Sequence, residues 1–213
     1  MFKSENHRSG LRRPPLKQKE KEIRQRIIEA TVEVIEKQGI ASLTVRAIAR
    51  TAGVNIAATN YYFGSKEKLL EAALLFTLRN AFTDPLRDLK SHPFTHDELL
   101  RFVLADWLQG MANYPGISRA HVFGHHLTRR QHSRSIEQLS AFLKQLAERL
   151  QKLRPMADPA DIRISLVQMI SAIILPAILP ELFAPFLRAD LTRPADRERY
   201  LNRLLLAYQR DGR

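Results

Sequence analysis

The sequence predicts an all-α protein, and three observations predict it. Apolar residues recur at three- and four-residue spacings along most of the 213 positions, helix-start and helix-stop residues punctuate those runs, and no segment alternates with the two-residue period of a strand. No internal repeat stands out. At 45% hydrophobic residues the chain can bury a real core, either as one domain or as a small domain joined to a larger one. Its net charge of +12 is less ordinary and favours a polyanionic partner, nucleic acid first. The surplus is uneven: through Lys66 there are thirteen Lys and Arg against six Asp and Glu, so a surplus of seven falls in the first third.

The first stretch, 1–18, carries Lys3, Arg8, Arg12, Arg13 and Lys17 around Gly10 and Pro14-Pro15, and reads as a flexible basic arm. From Lys19 the pattern turns helical. Ile23, Ile27, Ala30, Val34 and Ile35 form an apolar stripe, with Glu22, Arg26, Glu29, Glu33 and Glu36 opposite, and Gly39 is expected to stop this helix in the left-handed region. Thr44 is placed to cap a short second helix, 45–51, whose inward face is Val45, Ile48 and Ala49. Ala47 at the third helical position rules out a capping box there. Gly53 ends that helix and Asn55 restarts another within a few residues, the sequence form of a helix-turn-helix.

The segment that follows, AGVNIAATNYYF, is nearly uncharged between two charged runs. A recognition helix in the major groove needs such a leading edge: small or base-bonding residues in front, with hydroxyls and cations around it for phosphates. Ile56, Ala57 and Ala58 can pack on thymine methyls, Asn60 can pair with adenine, and the hydroxyl of Tyr61 and the ammonium of Lys66 can reach phosphates. Val54 and Phe63 are expected in the core, with Tyr62 under the next helix.

These residues also carry a resemblance. Gly39-Ile40, Thr44-Val45-Arg46-Ala47-Ile48-Ala49, Ala52-Gly53-Val54 and Tyr61-Tyr62-Phe63-Gly64-Ser65-Lys66-Glu67 followed by Leu69 resemble the DNA-binding domain of the tetracycline-repressor (TetR) family, over positions 20–79. The resemblance implies an N-terminal three-helix DNA reader at 19–80 and a larger helical effector-binding and dimerisation domain at 81–213, usually in a homodimeric regulator. By matched position Thr44, Tyr61 and Lys66 resemble phosphate contacts, Asn55 to Asn60 the base-facing segment, and Arg46 joins the DNA-binding set. Asn60 stands where a tyrosine is frequent and Thr59 where an aliphatic residue is usual.

Beyond Lys68 a connecting helix carries Leu69, Ala73, Phe76 and Leu86, and Thr95-His96-Asp97-Glu98 forms a capping box before Leu99, Phe102, Val103 and Trp107. Pro115-Gly116 breaks that helix. Further helices are expected at 117–130, 136–153, 159–187 with a proline bend, and 196–209, the third opened by Asp158 before Pro159. Trp107, Met111, Phe123, Phe142 and Met169 are candidates for an apolar effector pocket between the middle helices. Leu166, Ile170, Ile173, Ile174 and Ile178, with Leu201, Leu204, Leu205 and Tyr208, offer a stripe for a twofold dimer, or else line the monomer core.

Other classes find less support. His121 and His125 stand four apart with His126 and His132 near, but no carboxylate or cysteine lies in that run and arginines crowd it, so no metal site is expected. There is no glycine-rich phosphate loop, nucleophile elbow or positioned carboxylate pair, hence no catalytic residue and no cofactor. Segment 165–187 is apolar yet carries Gln168, Glu181 and three prolines, which argues against a membrane span. The N-terminus has no apolar core of a signal peptide and cysteine is absent, which fits a cytoplasmic protein. The expected function is a sequence-specific DNA-binding regulator, a repressor released from its double-stranded operator by a small apolar or aromatic molecule. The alternative is a helical membrane-surface or protein-binding module without operator specificity.

Overall fold

The structure, a computed structural model, describes residues 16–91, 93–127 and 134–211, and among these it contains ten α-helices and no strand. The proposed arm lies almost wholly outside the described residues. Helix α1 (Leu16–Gln38) already includes the last three positions assigned to it, directly after a Pro-Pro pair that suits a helix start. A single 3-10 turn (Ile40–Ser42) follows Gly39, whose φ of 78° is positive as expected. Its ψ of 161° lies in a glycine-only region rather than the left-handed helical one. Then come α2 (Val45–Ala52), α3 (Ile56–Phe63) and the long α4 (Lys66–Ser91).

The remaining chain forms α5 (His96–Asn113), α6 (Pro115–Leu127), α7 (Arg134–Leu153), α8 (Pro159–Ile178), α9 (Pro180–Leu187) and α10 (Pro194–Asp211). The capping box at α5 is complete: the Glu98 amide donates to Thr95 Oγ1 at 3.3 Å and the Thr95 amide to Glu98 Oε2 at 2.8 Å. Asp158 caps α8 by accepting from the Ala160 amide at 2.7 Å. The expected bend within 159–187 is a full break at Leu179, because the residue before Pro180 is pushed out of the helical region. Helix α6 begins two residues earlier than expected, with Pro115 in its first turn, and its expected end at 130 lies outside the described residues.

Two apolar clusters hold these elements. One joins α1 to α4 through Ile27, Val34, Ile35, Ile48, Phe63, Leu69 and Leu74, and it also takes in Ile117 and Ala120 of α6. The other fills the body between α5, α7, α8 and α10, with Leu99, Leu104, Phe142, Leu146, Leu166, Ile173 and Leu201 among its buried members. Helix α8 is long and apolar enough by composition to cross a membrane, yet it spends one stripe, Ile162, Leu166, Met169 and Ile173, on this core.

His96 is buried at the first turn of α5, stacked at 6.5 Å on the Tyr208 ring, with Nδ1 3.0 Å from Asp97 Oδ1. Burial holds its pKa below the ordinary imidazole value, helped by nearby Arg154 and opposed by the Asp97 contact. The fold thus favours the neutral ring. Its contribution is fully present above the unfolded-state pKa of about 6.5 and is lost as pH falls through the lowered folded value. Thermal unfolding between pH 7 and 5 should show a falling midpoint, and the fall should be smaller in His96→Gln.

Candidate nucleic-acid interface

The reader is assembled from two eight-residue helices, each started by a side-chain cap. Thr44 has extended backbone and its Oγ1 accepts from the Ala47 amide at 3.1 Å, which leaves the hydroxyl proton free to donate outward. Helix α2 buries Ile48, Ala49 and Ala52 and exposes Arg46 and Arg50, one turn apart on its other face. It stops at Gly53, whose φ of 63° and ψ of 36° are left-handed, a conformation that any Cβ makes costly. Asn55 then caps α3: its Oδ1 accepts from the Ala58 amide at 2.6 Å, so its side-chain NH2 stays available as a donor.

The faces of α3 divide cleanly. Thr59 and Phe63 point inward and are buried, while Ile56, Ala57, Asn60 and Tyr61 form one exposed face and Ala58 lies half-buried at its edge. Tyr61 is 80% exposed and meets the half-buried Tyr62 edge-to-face at 5.2 Å, so the inner ring props the outer one. Thr59 occupies its usually aliphatic position without exposing a polar group to the core. Its hydroxyl donates, at a long 3.4 Å, to the Asn55 carbonyl one turn back.

At the far end of α3, Gly64 turns the chain, Ser65 Oγ accepts from the Lys68 amide at 3.2 Å, and the exposed Lys66 opens α4. A lysine at a helix N-terminus opposes the helix dipole, an arrangement that an external anion relieves. Sequence reasoning missed Arg24. From α1 its guanidinium carbon lies 5.1 Å over the Phe63 ring, adding an exposed cation beside the same turn. The only sequence signal was its position next to Ile23 on the rim of the apolar stripe.

The other candidates fall elsewhere. Trp107, Met111, Phe142 and Met169 share the body cluster, with the Trp107 and Phe142 ring centroids 5.3 Å apart. Phe123 does not join them: it is 46% exposed on α6, because that helix turns Ile117 and Ala120 inward. The dimer stripe needs the same kind of correction. Leu166, Ile170, Ile173, Leu201 and Leu205 are buried in the body, Ile178 is buried as well, and Ile174, Leu204 and Tyr208 pack against that core. The large apolar residues left outward on these helices, among the described residues, are Ile164, Val167, Leu175 and Leu206. His121 Nε2 lies 2.9 Å from Thr77 Oγ1 on α4, whereas the His125 side chain is outside the described residues.

Comparison with known proteins agrees with this geometry. The profile of the bacterial regulatory proteins of the tetR family matches residues 27–73. The chain is 46% identical over 61 residues to the HTH-type transcriptional regulator BetI 2 of Chromohalobacter salexigens, a match covering 29% of this chain but only 28% of that relative. Among solved structures, the regulator FadR from Bacillus subtilis in complex with stearoyl-CoA superposes with a TM-score of 0.64 at 20% identity. It covers 85% of this chain and 97% of its own, a likeness of fold. The multidrug binding protein EbrR complexed with malachite green gives a TM-score of 0.56 at 26% identity, over 85% of this chain and 96% of its own. The capped helix-turn-helix, the profile that matches residues 27–73 and the relatives that share this stretch of sequence show that the N-terminal segment is similar to that of the bacterial regulatory proteins of the tetR family.

Proposed function

We propose that the chain is a twofold, sequence-specific DNA-binding transcriptional regulator, a repressor that a small apolar or aromatic effector releases from its operator. The observation that carries this reading is the exposed face of α3, Ile56, Ala57, Asn60 and Tyr61, flanked by Thr44, Arg46 and Lys66 with donors turned outward. An uncharged face that can read base edges, ringed by groups that bond phosphates, is the division of labour of a major-groove reader. Sequencing the duplexes that the protein selects from a random pool tests it directly: a recurring inverted repeat supports the reading, and no enrichment overturns it.

Phosphate and base contacts separate by their signatures. Tyr61→Phe and Lys66→Ala should weaken binding similarly on every sequence, Lys66→Ala also reducing the salt slope by about one. Asn60→Ala should instead relax preference at one base pair, worth about 1–3 kcal/mol. Gel-shift titrations at several salt concentrations check both, and unchanged affinity in all three variants removes α3 and the start of α4 from the interface.

Twofold pairing is assigned to the outward stripe of α8 and α10, where Ile164, Val167, Leu175 and Leu206 are exposed among the described residues. Val167→Arg should give a folded monomer by light scattering and circular dichroism, able to bind a half-site only. A variant that remains dimeric moves the pairing surface elsewhere.

The effector is assigned to the body cluster around Trp107 and Phe142, which presents apolar and aromatic groups between helices. The malachite green in the EbrR neighbour structure supports an aromatic molecule without identifying it. Trp107 is the single tryptophan, so its emission reports locally. A compound that releases DNA should shift that emission and bind Trp107→Ala at least about tenfold more weakly. Release with unchanged emission and undiminished binding puts the site elsewhere.

A further inference from the structure

Helix α6 belongs to the body in sequence but is anchored in the reader by a joint that neither the recognition helix nor the apolar core requires. Its first free amides are capped by a side chain from another element: Gly116 N–H donates to Glu36 Oε1 at 3.2 Å and Ile117 N–H to Glu36 Oε2 at 2.9 Å, across eighty positions of sequence. Both carboxylate oxygens of Glu36, at the end of α1, are thereby engaged with α6. A negative charge at a helix N-terminus also meets the favourable end of its dipole. The backbones are in contact as well. A Cβ on Gly116 would stand 2.7 Å from both the Cα and the carbonyl oxygen of Glu36, so only glycine allows this approach. On the same helix Arg119 Nη1 donates to the Ile178 carbonyl at 3.2 Å and to Glu181 Oε1 at 3.3 Å, tying α6 to the end of α8 and the start of α9.

We infer that the Glu36 cap on α6 is the joint that sets the angle of the reader on the body, making Glu36 a positioning residue for the spacing between half-sites. The inference rests on the twofold reading above. Displacing one half-site by one base pair moves it about 3.4 Å and rotates it about a tenth of a turn, so a reader held at a fixed angle tolerates little displacement. A carboxylate gripping two adjacent amides resists both tilt and rotation of α1 against α6, which an apolar contact alone does not, since apolar attraction is non-directional.

The test has one arm with DNA and one without. Operators with half-site spacing varied in single base-pair steps are titrated against the unmodified protein, Glu36→Gln and Glu36→Ala. The unmodified protein should lose about tenfold or more per step, Glu36→Ala about threefold or less, and Glu36→Gln should fall between, since its amide keeps one acceptor. Binding to an isolated half-site should be unchanged. An unchanged spacing profile in Glu36→Ala overturns the inference. Because the chain has no cysteine, Thr51→Cys and Lys152→Cys together accept a single pair of spin labels, with unlabelled protein added to isolate the distance within one chain. That distance should be narrowly distributed and should broaden in Glu36→Ala, and a distribution that does not broaden overturns the joint even where no DNA is bound. In the unmodified protein the Gly116 and Ile117 amides should exchange slowly with solvent, and fast exchange there overturns the cap without any variant. Failure of the DNA-binding reading itself shows differently, as no half-site binding by the unmodified protein.

Discussion

An eight-residue helix cannot hold itself together in water, and everything the reader does depends on how α2 and α3 escape that limit. Helix nucleation fixes several dihedrals for one hydrogen bond, and neither helix is long enough to recover the loss by propagation. Each is held instead by a side-chain cap at one end, a glycine turn at the other, and a strip of two or three buried residues against α1 and α4. Ile27, Ile35 and Leu43, all fully buried, supply the floor on which those strips rest. The exposed face of α3 can then be chosen for what it meets outside, because nothing on it is needed for the fold.

The same economy explains how the caps and the surface coexist. Thr44 and Asn55 each use one acceptor inward and keep a donor outward, so a single side chain both starts a helix and faces solvent at its leading edge. Tyr61 stands far out of the surface and is steadied by an aromatic neighbour rather than by burial. Arg24, lying over Phe63, links the core to the rim in a different way: the ring that packs the reader from below is also the seat of a cation.

The fold class, the caps and the helix-turn-helix were legible because each is local. Thr44, Asn55, Thr95 and Asp158 are cap residues at helix starts, and the structure shows all four accepting from the first-turn amides. The inward set of α3 was partly legible, since Phe63 follows the apolar pattern, whereas the buried Thr59 breaks it and only its bond to the Asn55 carbonyl explains the choice. What depends on two distant segments was not legible. On α8 apolar residues run nearly all round the helix, so periodicity could not say which stripe faces its own chain, and the stripe chosen from sequence proved to be the inner one. Phe123 lies outside the body cluster for a related reason: α6 turns Ile117 and Ala120 into the reader's cluster, which leaves Phe123 exposed. The Glu36 bond to α6 joins positions too far apart for any spacing rule to find.

Ile117 and Ala120 sit inside the reader's cluster although they follow α4 and α5 in the chain. The boundary between the two units in space is therefore not a cut in sequence, and this bears on how such chains are recombined. A reader moved onto a foreign body with its own α1 to α4 alone arrives with an open groove where those two side chains lay, and the new body fits only if its equivalent helix refills the groove with residues of the same size. Small side chains are demanded along one face of that helix, since Gly124 already stands where a Cβ would come within 3.2 Å of Ile40. Bodies and readers of this architecture are interchangeable as matched pairs of surfaces, and a junction drawn after α6 preserves the match where one drawn after α4 severs it.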